Sequence, residues 1–548
     1  MKNKNCSHLT RRQFIKSGLT GLAIGSGLAI SGCDPLDIIS PPTTPTKTPD
    51  DIPALIIGSG FGGAVTALRL GEAGIPTMVL EQGRRWDTGV APFSRSIPPD
   101  HRSTWLRNKT ALPFGPSFPI GKYTGVLDRV DYPNMHVYRG TAVGGGSIVY
   151  GGISVQPPEN LFYKIFPAGI SYQELQPYYD RVRHMLNITT VPADVYSSHP
   201  YRYARVFAKH AANADLEVVD VEQATDWDII RSEIDGTTAP SAILGEFFYG
   251  NNSLCKNTLD QNYLPMAEAT GFVSIHPLHR VIDVMEENSG KYAVTVEQID
   301  ETGEVIARKK ITTTYLFFAA GCVGTTELLV KARSLGSLPN LNDEVGQGFG
   351  PNGNILVTCT VNESTGNPQG YPVIKGIRNY ENAETISRIE SLFLPTGFDH
   401  TCLFYLLLAL DTERGHFFYD SSTHRAELIW PAGGNDTAAR AAVDFAERMN
   451  AANDGYLGPP EDFPIPLQGI LRDSTYHPLG GMVMDKACDL YGRVHGYPRM
   501  YVMDGALLPG SCATANPSWT IAAFAERNIE KILTDDLTMN REKREIGR

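Results

Sequence analysis

Apolar and polar positions along this chain repeat with the periods of buried strands and amphipathic helices. An apolar run over 52–57 leads into a glycine-rich turn, a helical stretch over 64–72 and a second apolar run over 77–80. Later runs are typical of strands, and they cover 273–281, 292–298, 305–311, 315–320 and 402–410. Helical patterns cover 172–186, 325–332 and 438–451.

The first of these units has the form of a dinucleotide-binding βαβ motif. Its turn, Gly58-Ser59-Gly60-Phe61-Gly62-Gly63, is a G-x-G-x-x-G sequence between a strand and a helix. Gly58 allows the tight turn, Gly60 lets the backbone approach a pyrophosphate at the helix N-terminus, and Gly63 lets helix and strand pack closely. Glu81 is placed to accept hydrogen bonds from the adenosine ribose. The alternative is a glycine-rich turn with Glu81 as a solvated strand end.

The N-terminal segment predicts export. Residues 1–32 carry five cations and no acid, and Thr10–Lys16 (TRRQFIK) resembles a twin-arginine signal. The apolar stretch over 17–31 is too short for an ordinary membrane span. Ile30-Ser31-Gly32-Cys33 resembles a bacterial lipobox, in which Cys33 is lipidated. The alternative is a short amphipathic tail with a chance cysteine.

We therefore expect a signal peptide over 1–32 and a Pro/Thr-rich tether over 33–51. The expected location is the outer face of the bacterial cytoplasmic membrane, or the periplasm, with a lipid anchor on Cys33. Twin-arginine machinery carries folded proteins, so a cofactor can be loaded before export. Because diffusible nicotinamide cofactors lack a reliable supply outside the cytoplasm, the signal and the βαβ unit together favour tightly held FAD over NAD.

Composition is that of a large soluble enzyme. The chain exceeds 500 residues, which is enough for two sizeable domains. The net charge of −12 argues against nucleic acid as a partner. Six cysteines follow Cys33 without any C-x-x-C pair, so we expect neither a metal site nor dithiol redox chemistry. Their spacing leaves open whether a disulfide forms.

Several further blocks carry a family resemblance. From residue 52 onward the chain resembles the glucose-methanol-choline (GMC) oxidoreductases, and most closely the branch of cholesterol oxidases that hold FAD non-covalently. The blocks that carry it are GSGFGG with Glu81, GGGS with the glycines at 151–152, AAGCVGTTELLVKAR at 319–333, VGQGFGPNGN at 345–354, YHPLGG at 476–481, VMDGALLPG at 502–510 and ANPSWTIAAFAERN at 515–528.

The resemblance implies an α/β fold with two intertwined domains. A Rossmann-like FAD domain is expected from 52–155, 246–345 and 466–548. An α+β substrate domain is expected from 156–245 and 346–465, with an antiparallel sheet that covers the flavin. The implied reaction is FAD-dependent oxidation of a hydrophobic secondary alcohol, a 3β-hydroxysterol such as cholesterol, to the ketone, with oxygen reduced to hydrogen peroxide.

The resemblance also implies catalytic residues. His477 matches the family histidine that engages the substrate hydroxyl; taken alone, it could be a satisfied core histidine. Asn516 matches the asparagine beside flavin and substrate, and Asn-Pro is also a common helix start. A helix that begins here would direct its positive end at the flavin and stabilise the anionic reduced form.

The cofactor contacts that the resemblance implies come from four parts of the chain. They are Gly58, Gly60, Phe61, Gly62, Gly63 and Glu81, then Gly145, Gly146, Tyr150, Gly151 and Ile153, then Val281, and finally Asp504 and Gly505. The alternatives are a flexible linker for the second group and a simple turn for Asp504 and Gly505.

Four departures from the family pattern affect the expected chemistry. Asp399 stands where cholesterol oxidases use a glutamate to shift the steroid double bond, so we expect oxidation to persist and isomerisation to be impaired, because a shorter side chain misplaces the carboxylate. The alternative for Asp399 is a solvated loop acid. Tyr150 replaces an asparagine and Ser518 replaces a phenylalanine thought to gate oxygen, and the lid-like stretch 104–124 also differs.

Two other functions therefore stay open. One is a membrane-tethered alcohol dehydrogenase that passes electrons to a quinone or cytochrome. The other lies outside redox chemistry: a flavin-bearing lyase or a binding protein with a vestigial flavin.

Overall fold

The computed structural model describes residues 50–538 except 87, 88, 90, 112–116, 455, 458–469 and 472. The α-helices in this part of the chain are α1 Phe61–Glu72, α2 Gly146–Val149, α3 Glu159–Ile165, α4 Tyr172–Leu186, α5 Ala193–Ser197, α6 Arg202–Asn213, α7 Trp227–Ile234, α8 Tyr263–Ala269, α9 Gly321–Ser334, α10 Asp436–Asn453 and α11 Pro517–Ile532. None of the described helices is long and apolar enough to cross a bilayer.

The strands contribute to several sheets. They are β1 Asp51–Ile57, β2 Thr77–Leu80, β3 Leu127–Tyr132, β4 Met135–Gly140, β5 Ile188–Thr189, β6 Glu217–Asp220, β7 Gln223–Ala224, β8 Val273–His276, β9 His279–Glu286, β10 Tyr292–Ile299, β11 Val305–Phe318, β12 Gln347–Phe349, β13 Asn354–Thr360, β14 Lys375–Asn379, β15 Ser387–Leu392, β16 Cys402–Ala409, β17 Gly415–Asp420, β18 Arg425–Ile429, β19 Tyr456–Leu457, β20 Ile470–Leu471, β21 Ser474–Thr475 and β22 Met500–Val502.

The first sheet is built around a parallel core with strand order β8-β2-β1-β11. β22 pairs with β11 in parallel, and β10 and β9 extend the sheet as an antiparallel meander. β2 and β22 are buried throughout, as are the carboxyl ends of β1 and β11, which explains their apolar runs. Because β2, β1, β11 and β22 run the same way, their carboxyl ends meet at one edge of the sheet.

The second sheet is antiparallel, with strand order β19-β13-β16-β15-β14-β6 and with β20 also paired to β13. Its side chains alternate between two faces. One face packs on α6 and α10 through Val357, Ile389 and Leu407. The opposite face carries a separate apolar cluster that includes Leu356 and Leu406. The face that carries Leu356 and Leu406 is therefore apolar but is not the face on which α6 and α10 pack.

The predicted helices over 172–186 and 438–451 are confirmed as α4 and α10, whereas three predicted boundaries are wrong. The run over 273–281 is two strands, because Leu278 takes a positive φ of 58° between them. The runs over 305–311 and 315–320 form one strand, β11, since the intervening threonines continue the ladder to β1 and β10. β20 lies beyond 465 but belongs to the second sheet.

The described residues pack as one compact unit. The predicted division into two domains stays a prediction. The signal peptide, the lipobox and the tether up to residue 49 lie outside the described residues. The six cysteines after Cys33 are buried and unpaired.

Candidate active site

A cavity of about 960 Å³ lies at the carboxyl edge of the first sheet. It extends to the apolar face of the second sheet, where Leu356, Leu392 and Leu406 line it. All the predicted site residues except Gly63 and Asp399 line this one cavity: Gly58, Gly60, Phe61, Gly62, Glu81, Gly145, Gly146, Tyr150, Gly151, Ile153, Val281, His477, Asp504, Gly505 and Asn516. Segments from the whole described chain thus converge here.

Two glycine-rich loops cross at the floor of the cavity. A Cβ added to Gly145 would lie 2.7 Å from Cα of Gly60, so the two backbones are in direct contact. A Cβ added to Gly60 itself would meet no described atom within 4 Å, because that position opens into the cavity. Gly58 takes a φ of +98°, and a Cβ on Gly63 would lie 2.1 Å from the Gly58 carbonyl oxygen. In a loop of this geometry, a ligand can approach the protein backbone closely.

Glu81 follows β2 and is buried beside the same loop. Its Oε2 accepts hydrogen bonds from the backbone N–H and the hydroxyl of Ser59, at 3.0 and 2.8 Å. Its Oε1 accepts one from the Gly83 N–H at 2.8 Å. Burial raises the pKa of this carboxyl, and these three donors oppose the rise. Oε1 can accept a further hydrogen bond. The predicted contact of Glu81 with a ribose hydroxyl stays a prediction.

Three of the longer helices begin at the cavity. Phe61 at the start of α1, Gly321 at the start of α9 and Pro517 at the start of α11 all line it. Helix N-termini carry partial positive charge, and together they favour an anionic ligand. Asp504 neutralises part of the α9 terminus, since its Oδ2 accepts from the Gly321 N–H at 2.8 Å. Burial raises the pKa of Asp504 to about 6.

His477 lies in the cavity wall after β21. Its Nδ1 accepts a hydrogen bond from the side-chain amide of Asn354 at 3.0 Å. The orientation of that amide is fixed by the backbone: Oδ1 of Asn354 accepts from the Tyr476 N–H at 3.3 Å, and Nδ2 donates to the Asn352 carbonyl at 3.3 Å. Burial lowers the pKa of His477 to about 3. The imidazole is therefore neutral and carries its proton on Nε2.

The segment Asn352–Asn354 ties together the two predicted catalytic positions. Asn354 holds His477, as described above. Nδ2 of Asn352 donates to the carbonyl of Ala515, the residue before Asn516, at 2.9 Å. Oδ1 of Asn352 accepts from the Cys512 N–H at 2.7 Å. Sequence reasoning matched this block to the family without assigning it a role. Its two asparagines, two residues apart, were the available signal.

Asn516 precedes α11 but its side chain does not cap the helix. Instead Nδ2 donates to Oε2 of the buried Glu390 at 3.1 Å. Sequence reasoning missed Glu390. The available signal was the pattern Arg388-Ile389-Glu390 inside a strand, because period-two alternation places both charges on one face of the sheet.

Lys256 is a second residue that sequence reasoning missed. Its buried ammonium donates to the carbonyls of Ile148, Tyr150 and Phe247 at 2.7, 2.9 and 3.1 Å. Burial lowers the pKa of Lys256 to about 7. Through the bonds to Ile148 and Tyr150, Lys256 holds the glycine-rich loop that lines the cavity. A single lysine in a stretch without a motif gave no sequence signal.

Tyr150 and Ser518, two of the departures from the family pattern, are in the site. The Tyr150 hydroxyl donates to the Asn257 carbonyl at 3.2 Å, and its ring packs edge-on to Phe61. Ser518 lines the cavity, and its hydroxyl donates to the Ile153 carbonyl at 3.4 Å. Trp105, from the predicted lid-like stretch, also lines the cavity.

Asp399 is not brought to the site. It is exposed on the loop before β16, and it is not among the described residues that line the cavity. Its carboxylate accepts hydrogen bonds from the Ser364 hydroxyl and from the Gly366 N–H, the latter at 2.9 Å. This position favours the alternative of a loop acid, and the predicted catalytic role of Asp399 stays a prediction.

The cavity fits FAD in shape and chemistry. One end offers a glycine-lined groove and helix N-termini for a diphosphate, with Glu81 nearby for a ribose. Beside it, where the second loop leaves its contact with Gly60, the small backbone of Gly146 and Gly151 lines the cavity together with apolar side chains, which suits a flat ring system.

A family model described as GMC oxidoreductase matches residues 54–349, which is more than half of the chain. The chain belongs to the GMC oxidoreductase family. A second GMC oxidoreductase model matches 425–525, and one described as GMC oxidoreductase, C-terminal, matches 352–457. The cofactor is accordingly FAD, and the protein is a flavin-dependent alcohol oxidoreductase.

The chain is similar to two curated cholesterol oxidases. It is 28% identical to one from Mycobacterium tuberculosis (strain H37Rv), over 87% of this chain and 90% of that protein. It is 26% identical to one from Acinetobacter baumannii, over 88% of this chain and 94% of that protein. This similarity supports the branch that the motifs predicted.

Two solved structures share the fold at low identity. Pyridoxine 4-oxidase from Mesorbium loti superimposes with a TM-score of 0.60 at 13% identity, over 88% of this chain and 99% of that chain. A fungal aryl-alcohol oxidase superimposes with a TM-score of 0.61 at 14% identity, over 89% of this chain and 100% of that chain. The predicted fold class is therefore confirmed.

Proposed function

We propose that this enzyme oxidises a hydrophobic secondary alcohol, a 3β-hydroxysterol such as cholesterol, to the ketone and transfers the electrons to oxygen. The observation that carries the proposal is the presence of His477 and Asn516 in the same cavity as an apolar wall of Leu356, Leu392 and Leu406. The hydrogen-bonding side chains of His477 and Asn516 beside an apolar wall suit a molecule with one hydroxyl on a large hydrocarbon body. The similarity to curated cholesterol oxidases supports the same substrate class.

In the overall reaction, R₂CH–OH and O₂ give R₂C=O and H₂O₂. FAD supplies the acceptor for the hydride of the carbinol carbon. The chain supplies the orientation of the alcohol. Because His477 is neutral and carries its proton on Nε2, it donates a hydrogen bond to the substrate oxygen, and Asn354 maintains the tautomer that makes this possible. The apolar wall excludes water from the reacting carbon.

Oxidation without double-bond isomerisation follows from the placement of carboxylates. Asp399 is outside the cavity. Every carboxylate in the cavity lining is already held by other described groups: Glu81 by Ser59 and Gly83, Asp128 by Arg139, Asp131 by Arg107 and Arg129, Glu327 by Tyr132, and Asp504 by Thr325 and Gly321. With cholesterol as substrate we therefore expect the non-conjugated ketone as the main product.

Product analysis tests this proposal. The FAD-loaded mature enzyme is incubated in air with cholesterol, with a saturated 3β-hydroxysterol and with simpler secondary alcohols, and ketone and peroxide are quantified. We expect one peroxide per ketone and a non-conjugated product from cholesterol. A conjugated enone formed at the rate of oxidation would contradict the isomerisation argument. Turnover only with an added quinone or dye would instead identify a dehydrogenase.

We also propose that the enzyme is exported by the twin-arginine route and anchored through lipidated Cys33. The support is the residue pattern over 10–33 described above. Cell fractionation tests it, with Cys33→Ala and with Arg11 and Arg12 changed to lysine. We expect the first variant to leave the membrane fraction and the arginine variants to stay in the cytoplasm. Unchanged distribution in both would contradict the proposal.

A further inference from the structure

The side chain of Asn516 does not cap helix α11, although the residue directly precedes that helix. Asparagine before a helix usually accepts a hydrogen bond from the first turn, which stabilises the helix by about 1 kcal/mol. Here Asn516 makes no such bond to α11. Its amide nitrogen donates instead to Glu390, which lies on β15 of the second sheet. A long-range contact therefore sets the direction of this amide.

Glu390 is itself held on both sides. Its side chain is fully buried, and its Oε1 accepts from Nε of Arg388 at 3.2 Å. Arg388 and Glu390 are two residues apart on one strand, so they share a face of the sheet. Burial raises the pKa of Glu390, whereas Arg388 favours the ionised form. A buried carboxylate with one donor on each oxygen has a fixed geometry.

We propose that Glu390, held by Arg388, is a positioning residue that orients the Asn516 amide and so makes its Oδ1 the hydrogen-bond acceptor for the substrate hydroxyl. An ionised carboxylate only accepts hydrogen bonds, so the NH₂ side of the amide must face it and the carbonyl side must face away. Oδ1 of Asn516 has no hydrogen-bond partner in the described part of the chain, although it is buried. This inference rests on the proposed function.

The arrangement distinguishes substrate from product. A hydroxyl can donate to Oδ1 of Asn516 and accept from Nε2 of His477 at the same time. A ketone can only accept, so it leaves Oδ1 unpaired in a buried place, which is unfavourable. The site therefore binds the alcohol in preference to the ketone, and release of the product is favoured.

Glu390→Gln tests the proposal because glutamine is the same size but can present either N–H or C=O to Asn516. We expect the ratio of ketone affinity to alcohol affinity to rise about tenfold, and anaerobic flavin reduction to slow by about tenfold. The ketone is titrated into oxidised holoenzyme and followed by the visible flavin spectrum, which does not depend on turnover. The alcohol dissociation constant comes from the concentration dependence of flavin reduction.

A double-mutant cycle identifies the residue through which Glu390 acts. In an Asn516→Ala background, we expect E390Q to have no further effect on either ratio or rate. The same loss in both backgrounds would overturn the proposal. Glu390→Asp keeps an accepting carboxylate, and its affinity ratio should stay within about twofold of the wild type. An E390D affinity ratio as altered as that of E390Q would also overturn it.

The outcomes separate this inference from the proposed function. A wild-type enzyme that no alcohol reduces would contradict the proposed function. A wild-type enzyme that alcohols reduce, together with an E390Q variant that has unchanged affinities and rate, would contradict the positioning role alone. FAD content and the melting temperature report whether each variant keeps its fold.

Discussion

The side-chain amide of Asn354 donates to Nδ1 of His477 at 3.0 Å, and this contact determines which nitrogen of the imidazole carries the proton. Because the Asn354 amide is itself fixed by backbone groups of Tyr476 and Asn352, the tautomer is a property of the fold. The substitution Asn354→Leu keeps a side chain of similar shape but removes the amide that donates to His477.

We expect Asn354→Leu to slow anaerobic flavin reduction by about 10- to 100-fold, since it leaves a buried nitrogen unpaired and frees the tautomer. Stopped-flow measurement of flavin absorbance over a range of alcohol concentrations gives the rate constant and the dissociation constant separately. The FAD content should stay at the wild-type level. A rate constant equal to that of the wild type would show that the tautomer does not matter.

Burial of neutral His477 makes stability depend on pH. The unfolded imidazole has a pKa of about 6.5, whereas burial lowers the folded pKa to about 3. Between these values the unfolded state binds more protons, so this contribution is fully present above pH 6.5 and is lost as the pH falls toward 3. His477→Gln removes the effect. Relative to this variant, the wild type should lose about 2 kcal/mol of unfolding free energy between pH 8 and pH 5.

Urea unfolding of both FAD-loaded proteins at the two pH values measures this difference. The comparison with His477→Gln cancels the contributions of all other titrating groups. A wild-type-minus-variant difference that does not change between pH 8 and pH 5 would mean that the imidazole is protonated in the fold.

Gly60 and Gly62 offer a matched pair of substitutions. A Cβ on Gly62 would lie 1.9 Å from the Met503 carbonyl oxygen, so Gly62→Ala should destabilise the fold by about 3 kcal/mol. A Cβ on Gly60 would meet no described atom within 4 Å. Gly60→Ala should therefore keep the apoprotein melting temperature but weaken FAD binding at least about tenfold, because the methyl enters the cofactor groove.

Differential scanning calorimetry of the apoproteins gives their melting temperatures, and titration with FAD gives the affinity, so the two effects are measured separately. Equal FAD affinity in Gly60→Ala and the wild type would place the diphosphate elsewhere than on this loop. Equal apoprotein melting temperatures for Gly62→Ala and the wild type would contradict the packing against Met503.

Asp399 provides a test of the carboxylate that the sequence favoured and the structure did not. The residue is exposed and bonded to Ser364 and Gly366. With cholesterol as substrate, Asp399→Ala should change neither the rate of flavin reduction nor the share of conjugated enone among the products by more than about twofold, as is usual for a surface position. Asn516→Ala, inside the cavity, is the control that should show a large loss of flavin reduction. A conjugated enone that the wild type forms and that Asp399→Ala no longer forms would restore the isomerising role.

The sequence predicted what local patterns determine. The strand–glycine–helix unit around Gly60, the helices α4 and α10 and the family blocks around His477 and Asn516 all carry short-range signals. The structure brings the Gly60 unit and the blocks around His477 and Asn516 to one cavity. Glu390 and Lys256 were missed because their roles depend on long-range partners. Asn516 and Glu390 are 126 residues apart. A charge inside an apolar strand indicates burial, but only the pairing of strands shows which group it meets.

The central claim is that FAD in this cavity accepts a hydride from a hydrophobic alcohol that His477 orients. The direct measurement is anaerobic mixing of FAD-loaded wild type and His477→Gln with a 3β-hydroxysterol, followed by the visible absorbance of the flavin. We expect the wild type to bleach and the variant to bleach at least about 100-fold more slowly. A wild type that stays yellow with sterols and simpler alcohols, or a variant as fast as the wild type, would contradict it.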